Sequence, residues 1–121
     1  MNEVLKALQQ HMTAMGLEYE FETYTGEKNP YWIGEYYGAQ DSDEGGYMTH
    51  SPLLTGFAIG AKAELYDQAD RARKYFQNGA TMQVDDTSVA CWVQAVMAIP
   101  QETEELTKIQ ITLKVQTWER C

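Results

Sequence analysis

Lys108-Ile109-Gln110-Ile111-Thr112-Leu113-Lys114-Val115-Gln116-Thr117-Trp118 alternates apolar and polar side chains almost without a break. Ile109, Ile111, Leu113 and Val115 share one face; Lys108, Gln110, Thr112, Lys114 and Gln116 share the other. A period of two over this length is a β-strand buried on one side. Its apolar face must cover something, so the rest of the chain has to supply helices to lie on it.

Working back from that strand, Pro100 and the acids Glu102, Glu104 and Glu105 read as a loop. Residues 88–98, through Cys91-Trp92-Val93, read as another strand. Residues 62–77 repeat apolar positions at helical spacing in Leu65, Ala69, Ala72 and Phe76, and Asn78-Gly79 ends the run. The small alanines let this helix lie close to a sheet. A strand is expected over 50–59, with Pro52 placing its start at a sheet edge or outside the ladder. Residues 38–49 hold Gly38, Asp41, Ser42, Asp43, Glu44, Gly45 and Gly46 and read as a long polar loop.

Tyr31-Trp32-Ile33-Gly34-Glu35-Tyr36-Tyr37 reads as an aromatic strand. Residues 18–24 alternate Glu18, Glu20 and Glu22 with Tyr19, Phe21 and Thr23, and the two strands are expected to form an antiparallel hairpin around a turn closing at Pro30. Residues 2–15 carry Val4, Leu5, Leu8, Met12 and Met15 on one helical stripe, with Gly16 as a left-handed stop. The order of elements predicts an α+β fold, an antiparallel sheet of about five strands with two helices packed on one face. With 121 residues it forms a single domain, 1–121.

Composition narrows the function. Hydrophobic residues make up 44%, too many for a disordered chain. Nine Lys+Arg against 18 Asp+Glu give a net charge of −9, which argues against binding phosphates of nucleic acid or an anionic membrane surface. Arg71, Arg73 and Lys74 are the nearest thing to a basic patch and read as a solvated helix end. No segment has the roughly 20 apolar residues of a spanning helix. Glu3 and Gln9-Gln10-His11 interrupt any signal-peptide core, so the sequence predicts a chain kept in a reducing cytoplasm, with Cys91 and Cys121 as free thiols. Residues 18–47 hold eight acids and one base, so most of the negative charge is local to the first two strands and the following loop. That acidity reads as a solvated face, or as a surface that repels an anion or meets a basic partner.

Catalytic chemistry is thin. Asp41-Ser42-Asp43-Glu44-Gly45 starts like a calcium loop, but position 5 is Gly45 and position 12 is Pro52, so two ligands are missing. His11, His50, Cys91 and Cys121 lack the spacing of zinc ligands. Cys91 with His50 and an acid makes a triad on paper, yet Cys91 sits in an apolar run where a thiol is inert. Gly56-Phe57-Ala58-Ile59-Gly60-Ala61-Lys62 lacks the spacing and hydroxyl of a phosphate loop. No catalytic residue, metal or cofactor is expected.

Asn2-Glu3-Val4-Leu5-Lys6-Ala7-Leu8, Pro30-Tyr31-Trp32-Ile33-Gly34-Glu35-Tyr36, Leu53-Leu54-Thr55-Gly56-Phe57 and the closing stretch 108–118 resemble the small tail-completion proteins of phages and prophages of Gram-positive bacteria, the tail terminators. The resemblance spans nearly the whole chain. It implies a structural subunit that assembles as a ring, commonly six-membered, capping the tail tube. Its partners would be copies of itself, the tail tube protein and head–tail connector proteins. DNA would pass through an acidic lumen without specific binding. The chain would be found in the host cytoplasm during assembly and then in the virion tail. Tyr31, Trp32, Tyr36 and Tyr37 are then core-to-interface residues, with Glu35 beside them, and Asp41, Asp43 and Glu44 are loop contacts or lumen charges. Because a strand alternates, half of those aromatics fall inside. Three other readings compete: a head–tail connector or minor capsid subunit, an acidic inhibitor that mimics DNA, and a small enzyme or ligand-binding domain.

Overall fold

The alternating strand lies in the middle of the sheet. In the computed structural model, which describes residues 2–21, 26, 29–41, 47–84, 86–99 and 106–119, the elements are α1 (Asn2–Ala14), β1 (Tyr19–Phe21), β2 (Tyr31–Asp41), β3 (Tyr47–Ile59), α2 (Lys62–Phe76), β4 (Ala80–Val84), β5 (Thr87–Ile99) and β6 (Leu106–Glu119). The strands form one mixed sheet in the order β1-β2-β3-β6-β5-β4. Ile109, Ile111, Leu113 and Val115 of β6 are all fully buried or nearly so. Each contributes about 1.5–3 kcal/mol of transfer free energy. A single core joins them to Val4, Leu8 and Met12 of α1 and to Leu65, Ala69, Ala72 and Phe76 of α2.

The α+β class and the two helices agree with the sequence, but the sheet has six strands rather than five. Ala80–Val84 supplies the extra one, pairing with Thr87 to Cys91 across a short connection. The sheet is also not wholly antiparallel: β1 runs parallel to β2, with Tyr19 opposite Trp32 and Phe21 opposite Gly34. Alternation reveals the faces of a strand but not its direction. Here the ring of Tyr19 rests on Gly34, where a Cβ would collide with it.

Two further expectations change. Residues 38–41 and 47–49 belong to strands rather than to a loop, and 42–46 lie outside the described residues. Pro52 sits on an internal strand. It faces Tyr36 on one side, while β3–β6 pairing skips from His50↔Val115 to Leu53↔Thr112 without changing register. Proline has no N–H to give a ladder, and the gap falls beside an extra residue in β2 between Tyr36 and Ala39. The irregularity accommodates the proline without an edge.

Local chemistry closes the elements. Gly16 (φ 74°) donates to Thr13 and Leu17 donates to Met12, ending α1 in a left-handed turn. Asn29 continues β2 with its side chain: its amide donates to Ile59 O at 2.7 Å and accepts from Ile59 N at 3.0 Å. Trp32 is fully buried on the helix side, and its N–H donates to Gln68 Oε1 of α2 at 2.9 Å. The ring lies across Gly56, so a Cβ there would come within 2.8 Å of Trp32 and of Leu65 Cδ1.

Gly56→Ala is therefore expected to cost about 1–3 kcal/mol by overpacking. The measurement is urea unfolding, with a lower midpoint at an unchanged slope.

Candidate interaction surface

The helices cover one face of the sheet, and β2 alternates between the two sides. Trp32 and Gly34 point into the core, while Tyr31, Ile33 and Glu35 are half-buried. Each of those three outer positions continues across the sheet through paired residues. Tyr31 lies opposite Phe57, and Phe57 opposite Lys108. The Tyr31 and Phe57 rings stack with centroids 5.2 Å apart, and Lys108 Nζ stands 5.2 Å from the Phe57 centroid. Such cation–aromatic contacts favour a ring face near a positive charge. Ile33 lies opposite Thr55, and Glu35 opposite Leu53.

Of the residues expected at an interface, the structure thus separates Tyr31 and Glu35, on the outer face, from Trp32, which serves the core. Tyr36 lies opposite Pro52 and Asp41 opposite Met48, with Tyr37 in the irregular step between. Asp43 and Glu44 lie outside the described residues.

The basic cluster on α2 is occupied internally. Arg71 donates to Met15 O at 3.0 Å, tying α2 to the end of α1. Arg73 and Lys74 reach Asp70 at 2.8 and 3.1 Å. Hydrogen bonds from Arg73 and then Lys74 hold the Asp70 carboxyl below its ordinary pKa.

The paper triad is not assembled. Cys91 and His50 pair with Val115 from opposite sides, which separates their backbones by two strand spacings, about 10 Å. His50 Nε2 instead meets Thr117 Oγ1 at 3.0 Å. Cys91 is fully buried, and burial pushes its thiol up to about 12. Among the described residues, no three His, Cys, Asp or Glu side chains come together to hold a metal ion. Two grooves flank α2. One, of about 320 Å³, is polar and acidic, with Glu18, Glu64 and Asp67 near Arg71. The other, of about 170 Å³, runs over Ala69, Val96, Ala98 and Ile109. No described helix is long and apolar enough to cross a membrane. Comparison with known proteins finds no matching family model and no significantly similar curated protein.

The sequence sets His11 aside as a zinc ligand without placing it; in the fold it is 2% exposed where helix α1 meets α2. Its position three residues after Leu8 and four before Met15 was the available signal. Its Nδ1 lies 2.8 Å from Tyr75 Oη, and Tyr75 and Phe76 meet its ring edge-on. Nε2 is buried with no partner among the described residues. Burial lowers the pKa of His11 from its ordinary 6.5.

The folded state prefers the neutral ring, so its stability is full above 6.5. Below 6.5 the unfolded chain takes up a proton that the fold resists, and stability falls. Urea midpoints measured from pH 7.5 to 5 should drop more in the natural chain than in His11→Leu. Parallel curves would show that His11 does not carry the effect.

Proposed function

We propose that the chain is a structural, non-catalytic subunit of a phage or prophage tail, a tail terminator that closes into a ring on the tail tube and meets the head–tail connector above. One observation carries this reading. Three of the four stretches on which the resemblance rests, 30–36, 53–57 and 108–118, form the neighbouring strands β2, β3 and β6, and the fourth, 2–8, lies in α1. The three strands share paired positions such as Tyr31↔Phe57↔Lys108. Three of the four stretches thus share one continuous piece of the sheet.

Electrostatics agrees with a conduit for DNA. The −9 charge denies a passing duplex the counterion-release gain that would hold it, and Arg71, Arg73 and Lys74 of α2 are engaged within the chain. Tyr31 and Glu35 on the outer face are the residues for contact with neighbours in the ring. Assembly in the host cytoplasm and residence in the virion tail follow from the same reading.

The test uses tail tubes assembled from the tube protein of the phage or prophage that carries this gene, with and without the purified chain, and viewed in negative stain. The expected result is a ring-shaped cap on one tube end and arrest of tube growth. Tubes with bare ends and unchanged lengths would sink the reading.

A further inference from the structure

Strand β5 is 13 residues long and carries no Asp, Glu, Lys, Arg or His, in a chain whose net charge is −9. Among the described strands, only its first part has neighbours on both sides. β4 pairs with Thr87 to Cys91 and goes no further. From Trp92 to Ala98 the strand has β6 on one side and no described strand on the other. The register shifts between Val93 and Ala95, and from Gln94 to Ala98 all five residues are exposed, Val96 by 40% and Met97 by 60%.

A free strand edge presents a row of N–H and C=O groups ready to pair with another chain. Folded proteins usually blunt such edges with lysine, proline or brevity. The opposite edge, β1, is short and carries Glu20. The stretch from Trp92 to Ala98 has none of these protections. Val96 and Ala98 pair with the buried Ile111 and Ile109 and so lie on the helix side, where they floor the 170 Å³ groove beside Tyr66 and Ala69. Ala95 and Met97 lie on the other face. At the rim, Arg73 and Asp70 already neutralise one another at 2.8 Å.

We propose that a second copy of this chain adds its own β5 to this edge. The two strands run antiparallel about a two-fold axis at Met97, and the six-stranded sheet continues into that of the partner. Three features favour a second copy over another occupant. First, a chain of net charge −9 repels its copy overall, whereas β5 carries no charged residue to place across the axis. Second, the side chains complement themselves: Val96 falls opposite the second copy's Ala98 and Met97 opposite its own counterpart, so large meets small and a flexible thioether meets its like. Third, a two-fold axis perpendicular to the sheet keeps both helix layers on one side, and each groove lies along the seam. The inference does not rest on the ring reading. A two-fold contact closes on two copies, whereas a ring is built by head-to-tail contacts through other surfaces, so either can fail alone.

The test is disulfide trapping in the full chain with Cys121→Ser. Residues directly opposite in an antiparallel pair lie about 4.5–5.5 Å apart at Cα, within the range a disulfide spans. Met97→Cys should yield a covalent dimer under mild oxidation, and Thr13→Cys, exposed on α1, should not. Light scattering of the unaltered chain should show a monomer–dimer equilibrium. Ala95→Lys, at an already exposed site, should weaken it at least tenfold while leaving the circular dichroism spectrum unchanged. A monomer at every concentration would overturn the proposal. So would a larger assembly in which Met97→Cys does not cross-link, or a dimer indifferent to Ala95→Lys.

Discussion

The indole of Trp32 fills the space that a side chain at position 56 would need, and this exchange sets how near α2 comes to the sheet. Trp32 is a β2 residue, Gly56 is its partner on β3, and Leu65 of α2 meets both. The hydrogen bond to Gln68 holds the ring in place. Close approach then makes the alanines at 69 and 72 necessary, because larger side chains there would push the helix off. It also fixes the parity of β2: with Trp32 inward, Tyr31, Ile33 and Glu35 must face outward, and the outer surface is set before any partner is considered.

Much of this was legible in the sequence, and the parts that were not share a physical reason. β6 declared itself because every inward position is branched or aliphatic and every outward one polar through Val115. The stripe Leu65-Ala69-Ala72-Phe76 was equally plain, and all four residues are buried. β4 escaped because five residues of mixed character, Ala80 to Val84, carry too little period to stand out. The direction of β1 escaped because pairing sense is decided by what a strand meets, here Gly34 beneath Tyr19. Pro52 misled because its missing donor is hidden at an irregular step of the neighbouring strand.

The site was legible only by type. Aromatic residues at 31, 32, 36 and 37 suggested contact along β2, but alternation alone did not say which of them faced the core. Burial now separates Trp32 from Tyr31. β5 is the clearest case of a pattern without enough information: Val89-Ala90-Cys91 and Val96-Met97-Ala98 look equally apolar, yet the first three are buried and the last three exposed. The difference arises because β4 stops at Cys91 and the register slips at Gln94, and neither event has a signature in the residues concerned.

The central place of β6 has a consequence for how the chain is made. In the order β1-β2-β3-β6-β5-β4, the two halves of the sheet are joined only through the last of the six strands to be synthesised. Until residues 106–119 emerge, β3 and β5 each lack a neighbour, and the apolar faces on either side have no seam to close. Such long-range pairing is slow and leaves strand edges open to wrong partners while it waits. Translation thus delivers an unfinished sheet, and its cohesion arrives all at once with the final strand. A truncation that removes β6 would leave two sheet fragments without the strand that joins them.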